Sequence, residues 1–132
     1  REHIFQLLFR VEFNGQDEME EQVSLYVDDM KEEEIVEPKD EIYIEEKYKK
    51  IVEKLPEIDE LLEKYSKGWK LSRMNKVDLT ILRLGVYEMK YDEDIPERVA
   101  INEAVELAKK FGGDESPAFV NAVLAKLSSK EA

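Results

Sequence analysis

The chain has no cysteine among its 132 residues, which excludes a disulfide framework, thiolate zinc sites and cysteine nucleophiles. That absence fits a reducing cytoplasm, where we expect the protein to work. Histidine occurs once, at His3, which lacks the second histidine of an imidazole-based metal site. His3 therefore reads as a surface residue. No apolar run approaches the roughly 18 residues of a membrane span, and we expect no signal peptide before the first helical pattern. HExxH, a phosphate-cradling glycine loop, GxSxG and an EF-hand loop are all missing. Carboxylates abound, but even the cluster Asp40, Glu41, Glu45 and Glu46 reads as a solvated face. We therefore expect no enzyme: no catalytic residues, no cofactor and no metal.

What the chain has in excess is negative charge, a formal −12 that looks hostile to nucleic acid. Its distribution matters more than its sum. Residues 14–46 hold 14 of the 32 acids and only 2 of the 20 bases, leaving 18 of each elsewhere. Within that neutral remainder, residues 67–91 set Lys67, Lys70, Arg73, Lys76, Arg83 and Lys90 against Asp78 and Glu88. The acidity is one block, a solvated helix surface plus loop, and the rest retains a phosphate-tolerant face.

Apolar spacing is helical throughout. In REHIFQLLFRVEF, residues 1–13, Ile4, Leu7, Leu8 and Val11 form a stripe, with Phe5, Phe9 and Phe13 along its flank. His3, Gln6 and Arg10 share the polar strip. The pattern starts without a capping residue or initiator Met, so we expect the helix to begin upstream. Asn14-Gly15 stops it, and a weaker acidic helix follows on Met19, Val23, Tyr26, Val27 and Met30. Glu37-Pro38 breaks that helix, and Asp40 is placed to cap the next, on Ile44, Tyr48, Ile51, Val52 and Leu55. Pro56 either kinks this helix or starts another carrying Ile58, Leu61, Leu62 and Tyr65.

Gly68-Trp69 reads as a turn. Asn75 and Asp78 then stand at capping-box spacing before Val77, Ile81, Leu82, Gly85 and Met89. A glycine inside a helix suggests a close helix crossing there. The next stripe, Ile101, Ala104, Val105, Ala108 and Phe111, closes at Gly112-Gly113. Ser116 is a good N-cap with Pro117 first in the last helix, which buries Val120, Val123, Leu124 and Leu127. The expectation is a single all-α domain over 1–132, with about seven helices.

Two features suggest binding. Arg1, His3, Gln6 and Arg10 lie beside Phe9 and Phe13, and aromatics beside basic and amide groups suit single-stranded RNA. Phe5 is better read as core, and Phe9 stands evenly between core and surface. In AINEAVELAKKFGGDESPAFVN, residues 100–121, Phe119 falls about a quarter turn off the apolar stripe, as a rim residue or a stacking platform. The first amides of the last helix favour an anion near Ser116, which Asp114 and Glu115 oppose.

The run VAINEAVELAKKFG, an acidic pair, a serine and FVNAVLAKL together resemble the C-terminal signature of the NusB family. WKLSRMNKVDLTILRLGVYEM resembles that family's preceding segment, and REHIFQLLF its first helix; residues 14–60 match only in helical character. The resemblance implies an all-helical fold of two small helix bundles sharing a long first helix. It also implies a non-catalytic role: binding the boxA element of ribosomal RNA transcripts with the ribosomal protein NusE, within the RNA polymerase antitermination complex.

Carried over by position, Arg1 matches the end of an arginine-rich N-terminal segment, and Gln6 and Phe9 share a first-helix face. Arg83 matches a basic position near the RNA, and Asp78 an acidic one at the RNA or NusE edge. Glu115, Phe119 and Asn121 match the corner that the family places near RNA. Two departures stand out: the arginine-rich segment is otherwise absent, which points to truncation, and Ala122 replaces the glycine of FVNGVL. An extra methyl at a surface position is expected to cost little.

Two other readings compete. One is a NusB-like accessory domain of a ribosomal RNA methyltransferase, although the polar ending SSKEA favours a free-standing protein. The other is an adaptor whose acidic block docks a basic partner. Monomer and homodimer are both open at the sequence level.

Overall fold

The computed structural model describes residues 1–11, 21, 24–26, 38–66 and 70–130, and every regular element among them is helical. Packing divides the chain into two compact units, Arg1–Glu53 and Lys54–Ala132. Phe13, Asn14-Gly15, Gly68-Trp69 and the acidic-helix positions Met19, Val23, Val27 and Met30 lie outside the described residues.

In the first unit, α1 (Glu2–Val11) buries Ile4, Leu7 and Leu8 of its expected stripe, with Phe5 from the flank, while the Val11 side chain lies outside the description. Residues 24–26 are helical, and Tyr26 is buried. The N-terminal part of α2 (Pro38–Tyr65) buries Ile44, Tyr48 and Ile51. Asp40, expected as the N-cap of this helix, sits inside its first turn. Pro38 accounts for the earlier start. Its φ is fixed near the helical value, and first-turn N–H groups have no intrahelical partner to lose. The Asp40 carboxylate then lies at the positive end of the helix dipole.

Of the two roles open to Pro56, starting a separate helix is not the one taken: α2 runs unbroken through it for 28 residues. An interior proline forfeits one backbone bond and crowds the carbonyl four residues back. Ile51, Ile58 and Leu62, each 0% exposed, anchor the helix on either side of it. That continuity brings the described helices to five α-helices and one 3₁₀ turn (Leu71–Arg73), close to the expected seven.

In the second unit, α3 (Lys76–Lys90), α4 (Glu97–Phe111) and α5 (Ser116–Lys130) each pack against the other two. Asn75 caps α3, its side-chain oxygen accepting from the amides of Val77 (2.7 Å) and Asp78 (3.4 Å). From Leu79 to Met89 every residue of α3 except Arg83 is buried, which makes it the central helix of this unit. A Cβ built on Gly85 would lie 2.9 Å from a Leu124 methyl and 3.5 Å from the Ala104 Cβ. The glycine is thus where α4 and α5 approach α3 closely, as its place inside the helix suggests.

That approach corrects the expected face of α4. Ala104 and Ala108 are buried as predicted, but Ala100 and Leu107 join them while Ile101, Val105 and Phe111 stay half-exposed. Small side chains let the helices come close, so the alanine side wins the contact over the bulkier one. The α5 stripe of Val120, Val123, Leu124 and Leu127 is buried in full. At the other end of α3, Lys90 Nζ donates to the Leu127 carbonyl at 3.4 Å, a cation at the C-terminal turns of α5. No helix among the described residues is long and apolar enough to cross a membrane.

Candidate nucleic-acid interface

The sequence-derived site residues fall in both units, Arg1, Gln6 and Phe9 in the first and Asp78, Arg83, Glu115, Phe119 and Asn121 in the second.

On α1, the strip His3, Gln6 and Arg10 converges on one side chain, Tyr26. His3 Nδ1 lies 2.7 Å from the Tyr26 hydroxyl, which donates to Gln6 Oε1 at 2.8 Å. The Arg10 guanidinium stands over the Tyr26 ring, 4.9 Å from its centroid, and the His3 ring meets the same ring edge-on at 5.9 Å. His3 is thus a half-buried, hydrogen-bonded member of a cluster and not the bare surface residue its isolation suggests. Gln6 itself is exposed, and Arg1 is half-buried.

Phe9 is half-buried and stacks on the buried Phe5, with centroids 6.2 Å apart and planes within 16°. Its position between core and surface is therefore shared: the ring rests on the core and keeps part of its area outside it. One helical turn separates Phe9 from Gln6, so ring and amide are neighbours on α1.

In the second unit, Arg83 is gripped by Asp59. Its Nε and Nη2 donate to the two carboxylate oxygens, both at 2.9 Å. The side chains are 14% and 30% exposed, so this fork ties the C-terminal part of α2 to α3 from a mostly covered position. Any contact of Arg83 with a phosphate competes with that pair. Asp78, in the first turn of α3, has a buried Oδ1 with no hydrogen-bond partner among the described residues.

The corner between α4 and α5 differs in detail from its expected capping. Ser116 lies inside α5 and not at its N-cap, which moves Pro117 to the second helical position. The Ser116 hydroxyl is buried and accepts from the Gly113 amide at 3.1 Å, turning back into the loop. The first helical bond is taken by the Glu115 carbonyl, from the Phe119 amide at 3.1 Å. The Ser116 amide is itself spent on the Gly113 carbonyl, which removes one donor from any anion site there. Gly112 ends α4 with φ −95° and ψ −175°, an extended conformation open to any residue.

Glu115, the residue before α5, and Phe119 are one turn apart on the same side of the helix. Phe119 is half-buried, a rim residue with part of its ring outside the core. Asn121 is exposed but sits about 200° further round the helix than Phe119, on a different face. Ala122 is exposed, so its methyl group meets no close-packed interior. Of the acidic block 14–46, residues 14–20, 22–23 and 27–37 lie outside the described residues.

Sequence reasoning missed what two residues do at these surfaces: Tyr26, read only as part of an apolar stripe, and Asp59. Neither is in helical register with the residue it holds; only folding brings them there.

The NusB family model matches residues 1–129. A transcription antitermination protein NusB of Lachnoclostridium phytofermentans is 52% identical over 127 residues, which is 96% of this chain and 94% of that protein. Another, of Agathobacter rectalis, is 54% identical over 130 residues, 97% of this chain and 95% of that one. A solved structure of T. maritima NusB superposes with a TM-score of 0.85 at 32% identity, covering 97% of this chain and 87% of that one. A family model followed almost from end to end, and relatives at half identity over that length, establish that the chain belongs to the NusB family.

Proposed function

We propose that the protein is a non-catalytic transcription antitermination factor of the cytoplasm that binds the boxA element of ribosomal RNA transcripts together with NusE. The observation that carries this reading is that relatives 52% and 54% identical, over 96% and 97% of this chain, are transcription antitermination proteins named NusB. Because the family model runs through both compact units, we take 1–132 to act as one functional domain.

In this reading Gln6, Phe9 and Arg1 on the first unit, with Phe119 and Asn121 on the second, contact RNA. The exposed parts of the Phe9 and Phe119 rings offer stacking area, and the exposed Gln6 and Asn121 amides offer hydrogen bonds. Arg83 contributes while paired with Asp59, and Asp78 and Glu115 form the edge that meets NusE or RNA.

Full-length protein, titrated into a labelled boxA RNA with and without NusE at several salt concentrations, tests the proposal. Association strengthened by NusE and weakened by salt is expected, because each phosphate contact releases counterions. Phe9→Ala and Phe119→Ala should each weaken binding by about 1–3 kcal/mol, the usual worth of a base stacked on an aromatic ring. No salt-dependent association under any condition would refute the reading.

A further inference from the structure

We infer that Tyr26 is a positioning residue that locks Gln6 as a donor-only contact for an acceptor oxygen of RNA, an inference that rests on the RNA-binding reading above. A glutamine amide carries an acceptor at one end and two donors at the other, and an exposed one turns over freely to present either. Gln6 is exposed, yet its Oε1 is held by the Tyr26 hydroxyl at 2.8 Å. A phenol has one proton. With that proton donated to Gln6 Oε1, the tautomer that completes the chain is the one carrying its proton on His3 Nδ1, which lies 2.7 Å from the same oxygen and donates to Tyr26.

The relay therefore runs from His3 through Tyr26 to Gln6. With the proton on His3 Nδ1, turning the amide over would set its N–H groups against an oxygen that already accepts from His3, and would leave the phenol proton without its acceptor. Tyr26 is itself fixed: it is 7% exposed, with Arg10 over its ring at 4.9 Å and His3 against its edge. The Gln6 Nε2 group has no partner among the described residues. It is left as a pair of donors in solvent, one turn from the Phe9 ring.

A fixed donor selects for acceptors and against donors on the ligand, which freely rotating amides do not. The matching groups on RNA are phosphodiester oxygens and base carbonyls.

Tyr26→Phe tests this, because it keeps the buried ring and the Arg10 stack and removes only the hydroxyl. In nitrogen-15-labelled protein, the Gln6 side-chain amide resonances should shift and exchange faster with water in Tyr26→Phe than in wild type. With boxA RNA, Gln6→Ala should weaken binding about fivefold in the wild-type background and less than about twofold in Tyr26→Phe. Gln6→Glu, an isostere that accepts from Tyr26 but cannot donate outward, should lose more than Gln6→Ala. The slope of affinity against salt should be unchanged by Tyr26→Phe, since no phosphate-paired cation is removed.

Oligonucleotides varied one base at a time separate the two acceptors. A Gln6→Ala loss that vanishes with one base replacement identifies a base carbonyl, and an equal loss on every sequence identifies a phosphate. Equal Gln6→Ala losses in both backgrounds, or an amide signal indifferent to Tyr26→Phe, would overturn the proposal. If wild-type protein bound no RNA while the amide signal still responded, the proposed function would fall and RNA as the ligand with it. The hydroxyl–amide lock would stand.

Discussion

A Cβ added at Gly112 would lie 2.5 Å from both Cβ and Oγ of Ser116 and 2.9 Å from the Ala108 carbonyl oxygen, whereas one at Gly113 meets nothing within 4 Å. Two adjacent glycines thus have different duties. Gly112 makes room for the Ser116 side chain that folds back to accept from Gly113, and neither neighbour can move without disturbing a helix end. Gly112→Ala is expected to destabilise the protein by about 1–3 kcal/mol through overpacking. Gly113→Ala should stay within about 0.5 kcal/mol of wild type. Thermal unfolding of the two variants side by side measures both. The sequence marks the pair as a helix end, but only the returning Ser116 side chain distinguishes its members.

At the scale of the element, capping and register were legible wherever the local sequence alone sets them. Asn75 caps α3 as its spacing to Asp78 suggests, and its replacement by Ala should cost about 1 kcal/mol in urea-unfolding free energy. The reciprocal half of a capping box is not what Asp78 supplies, since its Oδ1 finds no partner among the described residues. The start of α2 at Pro38 and of α5 at Ser116 each differ by a short step from the expected caps. In both, a side chain able to cap lies just inside the helix, so polarity alone does not separate N-cap from first turn. The α4 face was misjudged for a different reason. Hydrophobic bulk favours Ile101 and Val105, while close approach at Gly85 favours alanine, and contact distance between helices is invisible in one helix's own sequence.

At the scale of the whole molecule, the burial of Tyr48 links folding to pH. Desolvation raises the Tyr48 hydroxyl above its ordinary value of 10.0. The folded protein therefore keeps this proton to higher pH than the unfolded chain does. Its contribution is fully present below the unfolded value and is lost as pH rises through the folded one. Stability should fall as pH rises above about 10, and Tyr48→Phe should flatten that fall, as urea unfolding across the alkaline range would record. The same burial that perturbs Tyr48 joins it to Ile44 and Ile51 in the first unit.

The amino-acid sequence by itself determined the all-helical class, the buried faces of α1 and α5, the N-cap of α3 and the family, because periodicity, capping chemistry and ordered motifs are local properties. Tertiary structure decided what those faces do next. It set Asp59 against Arg83 and Tyr26 against His3, Gln6 and Arg10 across separations of 16 to 24 residues. A hydrogen bond needs two groups within about 3 Å, and for residues far apart in the chain only the packing of helices fixes that distance.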